Sequence, residues 1–221
     1  MKSTLINMVA VLFSITLIAS AGVGAVNMIT VEPIAAAKAA ATQQALSEVL
    51  PAFERTSIDE LEVDGLPIRV YTASNGEALA GYAVETMTKQ GFNGVVKLMV
   101  GFLPDGTVTN VNVLEQSETP GLGTKMTEEG NPLLASIRNR KLEEKKLVGG
   151  KLAVTKDGGD VDALTAATIS SRAYVDAINR AWMAMTSVKE GTRPTDVATG
   201  ATVQHTEQTE EPAAREGERD E

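Results

Sequence analysis

No charged residue lies between Lys2 and Glu32, and the run Leu5–Ile29, LINMVAVLFSITLIASAGVGAVNMI, is apolar almost throughout. A helix rises about 1.5 Å per residue, so a run of this length crosses a bilayer core of about 30 Å with some tilt. A secretory signal is the competing reading, because ASAGVGA offers small residues for cleavage. Its apolar core would be shorter, and here the run continues past those residues to Ile29, which favours an uncleaved anchor over residues 1–30. Lys2 and the α-amino group lie on the short side. The positive-inside rule then puts the N-terminus in the cytoplasm and everything after residue 30 on the external side of the membrane.

The chain has 221 residues, enough for one sizeable domain plus attachments. It contains no cysteine, which excludes thiol catalysis, iron–sulfur ligation and disulfides. Its single histidine, His205, sits in a polar tail far from any apolar pattern, so neither a Ser-His-Asp triad nor a His-rich zinc site has a scaffold. No metal ligands and no catalytic acid or base are expected. Hydroxyls, carboxylates, amines or a borrowed cofactor must supply the chemistry. The net charge of −9 argues against nucleic acid. From Ser187 onward four basic residues face nine acidic ones, a balance of −5, which reads as a solvated, disordered acidic tail over 187–221.

The rest reads as one α+β domain over residues 53–186. Ile34–Leu50 is alanine-rich and helix-favouring; Pro33 suits its start and Pro51 its stop, giving a stalk or first domain helix within 31–52. Residues 68–74 and 78–88 flank Asn75-Gly76, and residues 94–103 and 107–116 flank the turn sequence Pro104-Asp105-Gly106. These pairs predict an antiparallel meander. Residues 131–146 read as a short helix running into a charged loop, and 151–159 as a further strand and turn. From Ser170 to Met185, Ala173, Ala177, Ile178, Ala181, Trp182 and Met185 recur at helical spacing, a face that core packing alone explains.

Two stretches are harder to explain as packing. SETPGLGTK, Ser117–Lys125, follows a strand, and Pro120-Gly121 alone would account for a turn there. It is no P-loop, because Lys125 is followed by Met126. The other is VDALTAATISS, residues 161–171, where Asp162 precedes small residues and hydroxyls at a helix entrance. Such an entrance is an anion site in waiting, and small residues let a ligand approach the backbone. A plain Ser/Thr cap is the simpler account of one hydroxyl but leaves the whole set unexplained.

Taken together, ETPGLG (118–123) and GGDVDALTAATISSRAYVDAIN (158–179) resemble the FMN-binding domain of two membrane-complex proteins. One is RnfG, the G subunit of the Rnf electron-transport complex; the other is NqrC, the C subunit of the sodium-pumping quinone reductase. GFNGVVKLMVGFLPDGTVTNVNVLEQ, just upstream, is also similar to RnfG, and with the anchor the resemblance covers residues 5 to about 185. It implies an N-terminal transmembrane helix, then one FMN-binding domain with an antiparallel sheet and flanking helices. It further implies FMN joined by a phosphoester to the last threonine of a Ser/Thr-Gly-Ala-Thr motif, here Thr168. A separate flavin transferase, recognising Asp162, would attach it. Glu118, Thr119, Leu122 and Gly123 would line the isoalloxazine ring; Thr165 and Ser170 would bond phosphate oxygens; Ala166 and Ala167 would make room. The family usually carries glycine where Ala166 stands, so a positive φ there would strain this chain, and Gln116 stands near the place of a frequent histidine.

The function so implied is electron relay within an Rnf-type complex, among its other subunits, coupling ferredoxin/NAD electron transfer to ion translocation. The alternatives are the quinone-reductase homologue, a cofactor-free anchored scaffold in which Thr168 merely caps a helix, and a hydrolase with Thr168 or Ser170 as nucleophile and Lys156 or Lys151 as base.

Overall fold

The computed structural model describes residues 5–142 and 151–191. Helix α1 (Leu5–Val49) is continuous over 45 residues. Pro33 does not start a second helix, as the sequence suggested; it lies inside this one. The most apolar stretch of α1 has a mean hydropathy of 2.2 and none of it is buried against protein, as a lipid-facing segment requires. Only the last turns meet the domain. Ala45, Leu46, Val49 and Leu50 are buried against Tyr71, Ala73, Ala83 and Met99 on one face of a sheet.

That sheet is the expected meander, in spatial order β1 (Arg55–Val63), β2 (Leu66–Asn75), β3 (Ala78–Gly91), β4 (Gly94–Phe102), β5 (Val108–Glu115), antiparallel throughout. β1 is a strand the sequence reading passed over. Its body is mostly exposed and polar, which hides it from an apolar-pattern search. The signal for it was the turn. Asp64 and Gly65 sit at φ 49° and 72°, the doubly left-handed backbone of a two-residue hairpin, which Asp-Gly favours. The second hairpin turns through Gly76-Glu77, so Asn75 ends its strand instead of leading the turn.

β5 alternates imperfectly, its valines at 108, 111 and 113 being unevenly spaced, and α1 supplies the reason. A helix ends with carbonyls that have no intrahelical donor. Asn110 Nδ2 donates to the Glu48 carbonyl at 3.0 Å, the Thr109 hydroxyl donates to the Val49 carbonyl, and the Asn112 amide donates to the Glu48 carboxylate. The polar residues of β5 thus receive the end of α1.

Against the opposite face packs α3 (Thr168–Glu190), burying Ala173, Tyr174, Ala177, Ile178, Ala181, Ala184 and Met185; Trp182 is only half-buried. The helix begins two residues before the expected Ser170 and runs past residue 186. Its polar contacts fix its setting on the sheet. Thr86 Oγ1 donates to the Ala177 carbonyl at 3.2 Å and Thr88 Oγ1 to Asp176 at 2.7 Å. Arg180 bridges Asp64, Asp176 and the Val63 carbonyl at 2.9–3.1 Å.

Between sheet and α3 the chain passes through α2 (Pro132–Ile137), capped by Asn131, whose Oδ1 accepts from Leu134 N–H at 2.9 Å. Residues 151–159 do not form the expected strand. Among the described residues they make an isolated parallel bridge, Val154 to Val161, and a 3₁₀ turn over Thr155–Asp157. Asn179 on α3 replaces the missing ladder by bonding both the N–H and the carbonyl of Leu152, at 2.8 and 3.0 Å. The charged loop after Leu142 and the acidic tail beyond Gly191, with His205, lie outside the described residues.

Candidate flavin site

Two sequence motifs 40 residues apart meet at the N-terminal end of α3. Ser170, in its first turn, donates from Oγ to Glu118 Oε2 at 2.5 Å, and both residues are buried, at 3 % and 4 % exposure. Glu118 Oε1 also accepts from Asn93 N–H at 3.4 Å, and Glu118 N–H donates to Gln116 Oε1 at 2.7 Å. Gln116 therefore orients the strand exit that carries Glu118. Gly123 closes the arrangement: a Cβ there would stand 2.5 Å from Ser170 Oγ and 2.7 Å from Glu118 Cβ. Glu118, Ser170 and Gly123 form the floor of the site.

Above that floor the surface changes character. Leu122 is 39 % exposed and Ile169 46 %, each one residue from a floor residue, and Phe92, between Gly91 and the Glu118 partner Asn93, is 62 % exposed. Three apolar side chains left bare beside a helix N-terminus suit a flat aromatic ligand. Thr119, half-buried, accepts from Asn93 Nδ2 at 3.5 Å, and its carbonyl receives Leu122 N–H at 3.1 Å, which shapes the Glu-Thr-Pro-Gly-Leu turn.

Thr168 is the first residue of α3, not its cap. Ala167 holds the cap position, and no side chain caps the helix. The first-turn N–H groups of such a helix have no intrahelical acceptor and attract an anion, aided by the helix dipole. Lys156 Nζ lies 2.8 Å from the half-buried Thr168 Oγ1, adding a cation to those donors. The sequence reading weighed Lys156 only as a hydrolase base; its contact with Thr168, twelve residues on through an irregular loop, carries no periodic signal.

The loop before Thr168 is pinned at several points. Arg140 holds Asp160 through two bonds of 2.7 and 2.6 Å, and Arg172 holds Asp157 at 2.8 and 2.6 Å. Hydrogen bonds from these arginines keep the Asp157 and Asp160 carboxyls below the usual carboxylate range. Both clamps are thus present at neutral pH and are lost only as pH falls through those lowered values. Ser171 closes the loop from inside, accepting Leu164 N–H at 2.9 Å and donating to the Ala167 carbonyl at 2.9 Å. Thr165, Ala166 and the Asp162 side chain are exposed, while Asp162 N–H donates to Ser136 Oγ at 3.0 Å.

Ala166 adopts φ 59°. The strain that the sequence reading made conditional on a positive φ is therefore present, on the order of 1 kcal/mol relative to glycine. An Ala166→Gly chain should be more stable by up to about 1 kcal/mol, raising the melting temperature by a few degrees in a domain of this size. Thermal unfolding of the two unloaded proteins checks this; an unchanged or lower melting temperature would mean the loop carries no strain at Ala166.

The donors and the surface fit FMN. A hydroxyl, an ammonium and open helix N–H groups converge where a phosphate would sit, beside small residues and an exposed apolar strip. Fold and site together define a membrane-anchored FMN-binding protein, and residues 91–183 match the FMN-binding domain family. The chain is 30 % identical over 190 residues to the G subunit of the ion-translocating oxidoreductase complex of Shewanella loihica, covering 81 % of this chain and 89 % of that one. It is 31 % identical to the Shewanella amazonensis protein of the same name, covering 81 % and 87 %, and 39 % identical to that of Vibrio atlanticus over 107 residues, about half of each chain. The chain belongs to this family, the G subunits of ion-translocating oxidoreductase complexes, and its cofactor is FMN.

Proposed function

We propose that this chain relays electrons through one covalently held FMN inside an Rnf-type membrane complex, and that Thr168 is the attachment residue. The observation that carries the reading is the setting of Thr168 Oγ1: it stands at an uncapped helix N-terminus with Lys156 at 2.8 Å, beside bare Leu122 and Ile169. FMN supplies the redox chemistry when bound; the chain supplies its position and surroundings. Thr168 would carry the phosphate as an ester, and the first-turn N–H groups of α3 would bond its oxygens. Leu122, Ile169 and Thr119 would border the ring, over the floor that Glu118, Ser170 and Gly123 build.

Asp162 would serve a separate flavin transferase. Its exposed side chain, on a loop held by Arg140 and Ser136, is open to a partner protein. The domain would stand on the external, periplasmic side of the inner membrane, with the other subunits of the complex around the anchor. The two Shewanella relatives, each covering 81 % of this chain, are G subunits, which favours this complex over the quinone reductase. Detergent-solubilised pulldown tests that choice: Rnf-type partner subunits are expected, and quinone-reductase subunits in their place would refute it.

A further inference from the structure

We infer that Lys156 is the counter-cation of the attachment point, a positioning residue that holds the Thr168 oxygen before loading and pairs with the phosphoester anion afterwards. This inference rests on the reading of Thr168 as the attachment residue. Lys156 is exposed, but the backbone that carries it is held in place. It sits in the middle of the 3₁₀ turn Thr155–Asp157, and that turn is fixed from both sides. Thr155 N–H donates to the Val161 carbonyl at 2.9 Å, and Asp157 N–H to the Val154 carbonyl at 2.8 Å.

Asp157 then binds Arg172 through both carboxylate oxygens. Arg172 lies four residues after Thr168 on α3, so the two share one stripe of the helix surface. The clamp therefore lays the turn along the same stripe that carries Thr168 and delivers the Lys156 ammonium to its oxygen. The clamp also occupies the carboxylate next to Lys156 in sequence. With Asp157 committed to Arg172, the charge of Lys156 is directed at Thr168 and not at its own neighbour in sequence.

The ammonium already gives the neutral hydroxyl a charge-assisted bond. A phosphodiester at the same oxygen carries one negative charge, and hydrogen bonds between ionised groups are roughly twice as strong as neutral ones. The pairing is thus worth most in the loaded protein, facing the N–H groups of α3 across the phosphate.

The test uses the full chain, expressed in a host that loads other covalent flavoproteins, as wild type, Lys156→Gln, Lys156→Arg and the control Lys151→Gln, which removes the same charge from another exposed position. Flavin occupancy is followed by intact mass during induction, and the loaded proteins are compared by phosphorus-31 resonance. Lys156→Gln should load more slowly, on the order of tenfold for one charge-assisted bond that is partly solvent-screened. Its phosphorus signal should move, Lys156→Arg should restore much of the rate, and Lys151→Gln should match wild type. If Lys156→Gln loads at the wild-type rate with an unmoved phosphorus signal, Lys156 has no such role, while Thr168 stands as the attachment residue. If the wild-type chain carries no flavin, the Thr168 reading fails and this inference fails with it.

Discussion

A Thr168→Ala chain purified from membranes is expected to be lighter than the wild type by one FMN less water, beyond the change of residue itself. The argument is local. The variant removes the oxygen that Lys156 contacts and leaves the helix start intact, because Ala167 and not Thr168 occupies the cap position. A first-turn Thr→Ala change at a half-buried position away from a cap alters stability by about 0.5 kcal/mol, so loss of flavin would not be a symptom of unfolding. Thr168→Ser keeps a hydroxyl at the same place and should keep the modification. Thr165, three residues earlier and exposed, is the informative control. Flavin retained in Thr168→Ala and lost in Thr165→Ala would move the attachment to the loop and overturn the assignment.

Gly123→Ala should damage both the fold and the site, whereas a substitution at its neighbour in the same motif, Gly121, should not. At Gly121 the backbone has φ 75° and nothing lies within 4 Å of an added Cβ, so glycine is there for conformation alone. Gly121→Asn, a residue that tolerates left-handed backbone, should be nearly neutral. At Gly123 an added methyl meets Ser170 Oγ at 2.5 Å and the Glu118 side chain at 2.7 and 2.8 Å. Overpacking of a closed site costs about 1–3 kcal/mol. Forcing Ser170 from Glu118 also leaves a buried carboxylate short of a donor. A drop in melting temperature of roughly 3–10 °C follows at this chain length. Flavin occupancy should fall with it, since the floor and the first turn of α3 move together. A Gly123→Ala chain that melts and loads like wild type would show that the two motifs are not pressed together as described.

The parts of this architecture that the sequence announced are those with local signatures. The anchor declares itself by 29 consecutive uncharged positions between Lys2 and Glu32, and α3 by its apolar stripe. The strands from β2 to β5 declare themselves by turn chemistry; β1 did so only through Asp64-Gly65, because its own residues face solvent. The site was legible as two motifs but not as a geometry. Sequence spacing offers no reason for Glu118 and Ser170, 52 residues apart, to bond to each other beneath the surface. Nor does it show that Asn179 turns an expected strand at 151–159 into a pinned irregular loop, or that this loop brings Lys156 to Thr168. Such contacts are set by how α3 seats on the sheet.

The unbroken course of α1 from bilayer to sheet makes it a spindle. Roughly twenty residues separate Ile29 from the end of the helix, a reach of about 30 Å. Because β5 grips its last carbonyls, the azimuth of the domain is geared to the helix phase, about 100° per residue. One residue inserted between Ile34 and Gln43 would swing the flavin face about a quarter turn or more away from its partners. An insertion of about seven residues would bring it back to within about 20° while lifting it about 10 Å. Electron flow through the assembled complex, measured for both insertions, would reveal whether bearing or height matters more, and equal wild-type rates in both would mean that the domain is not geared to its anchor at all.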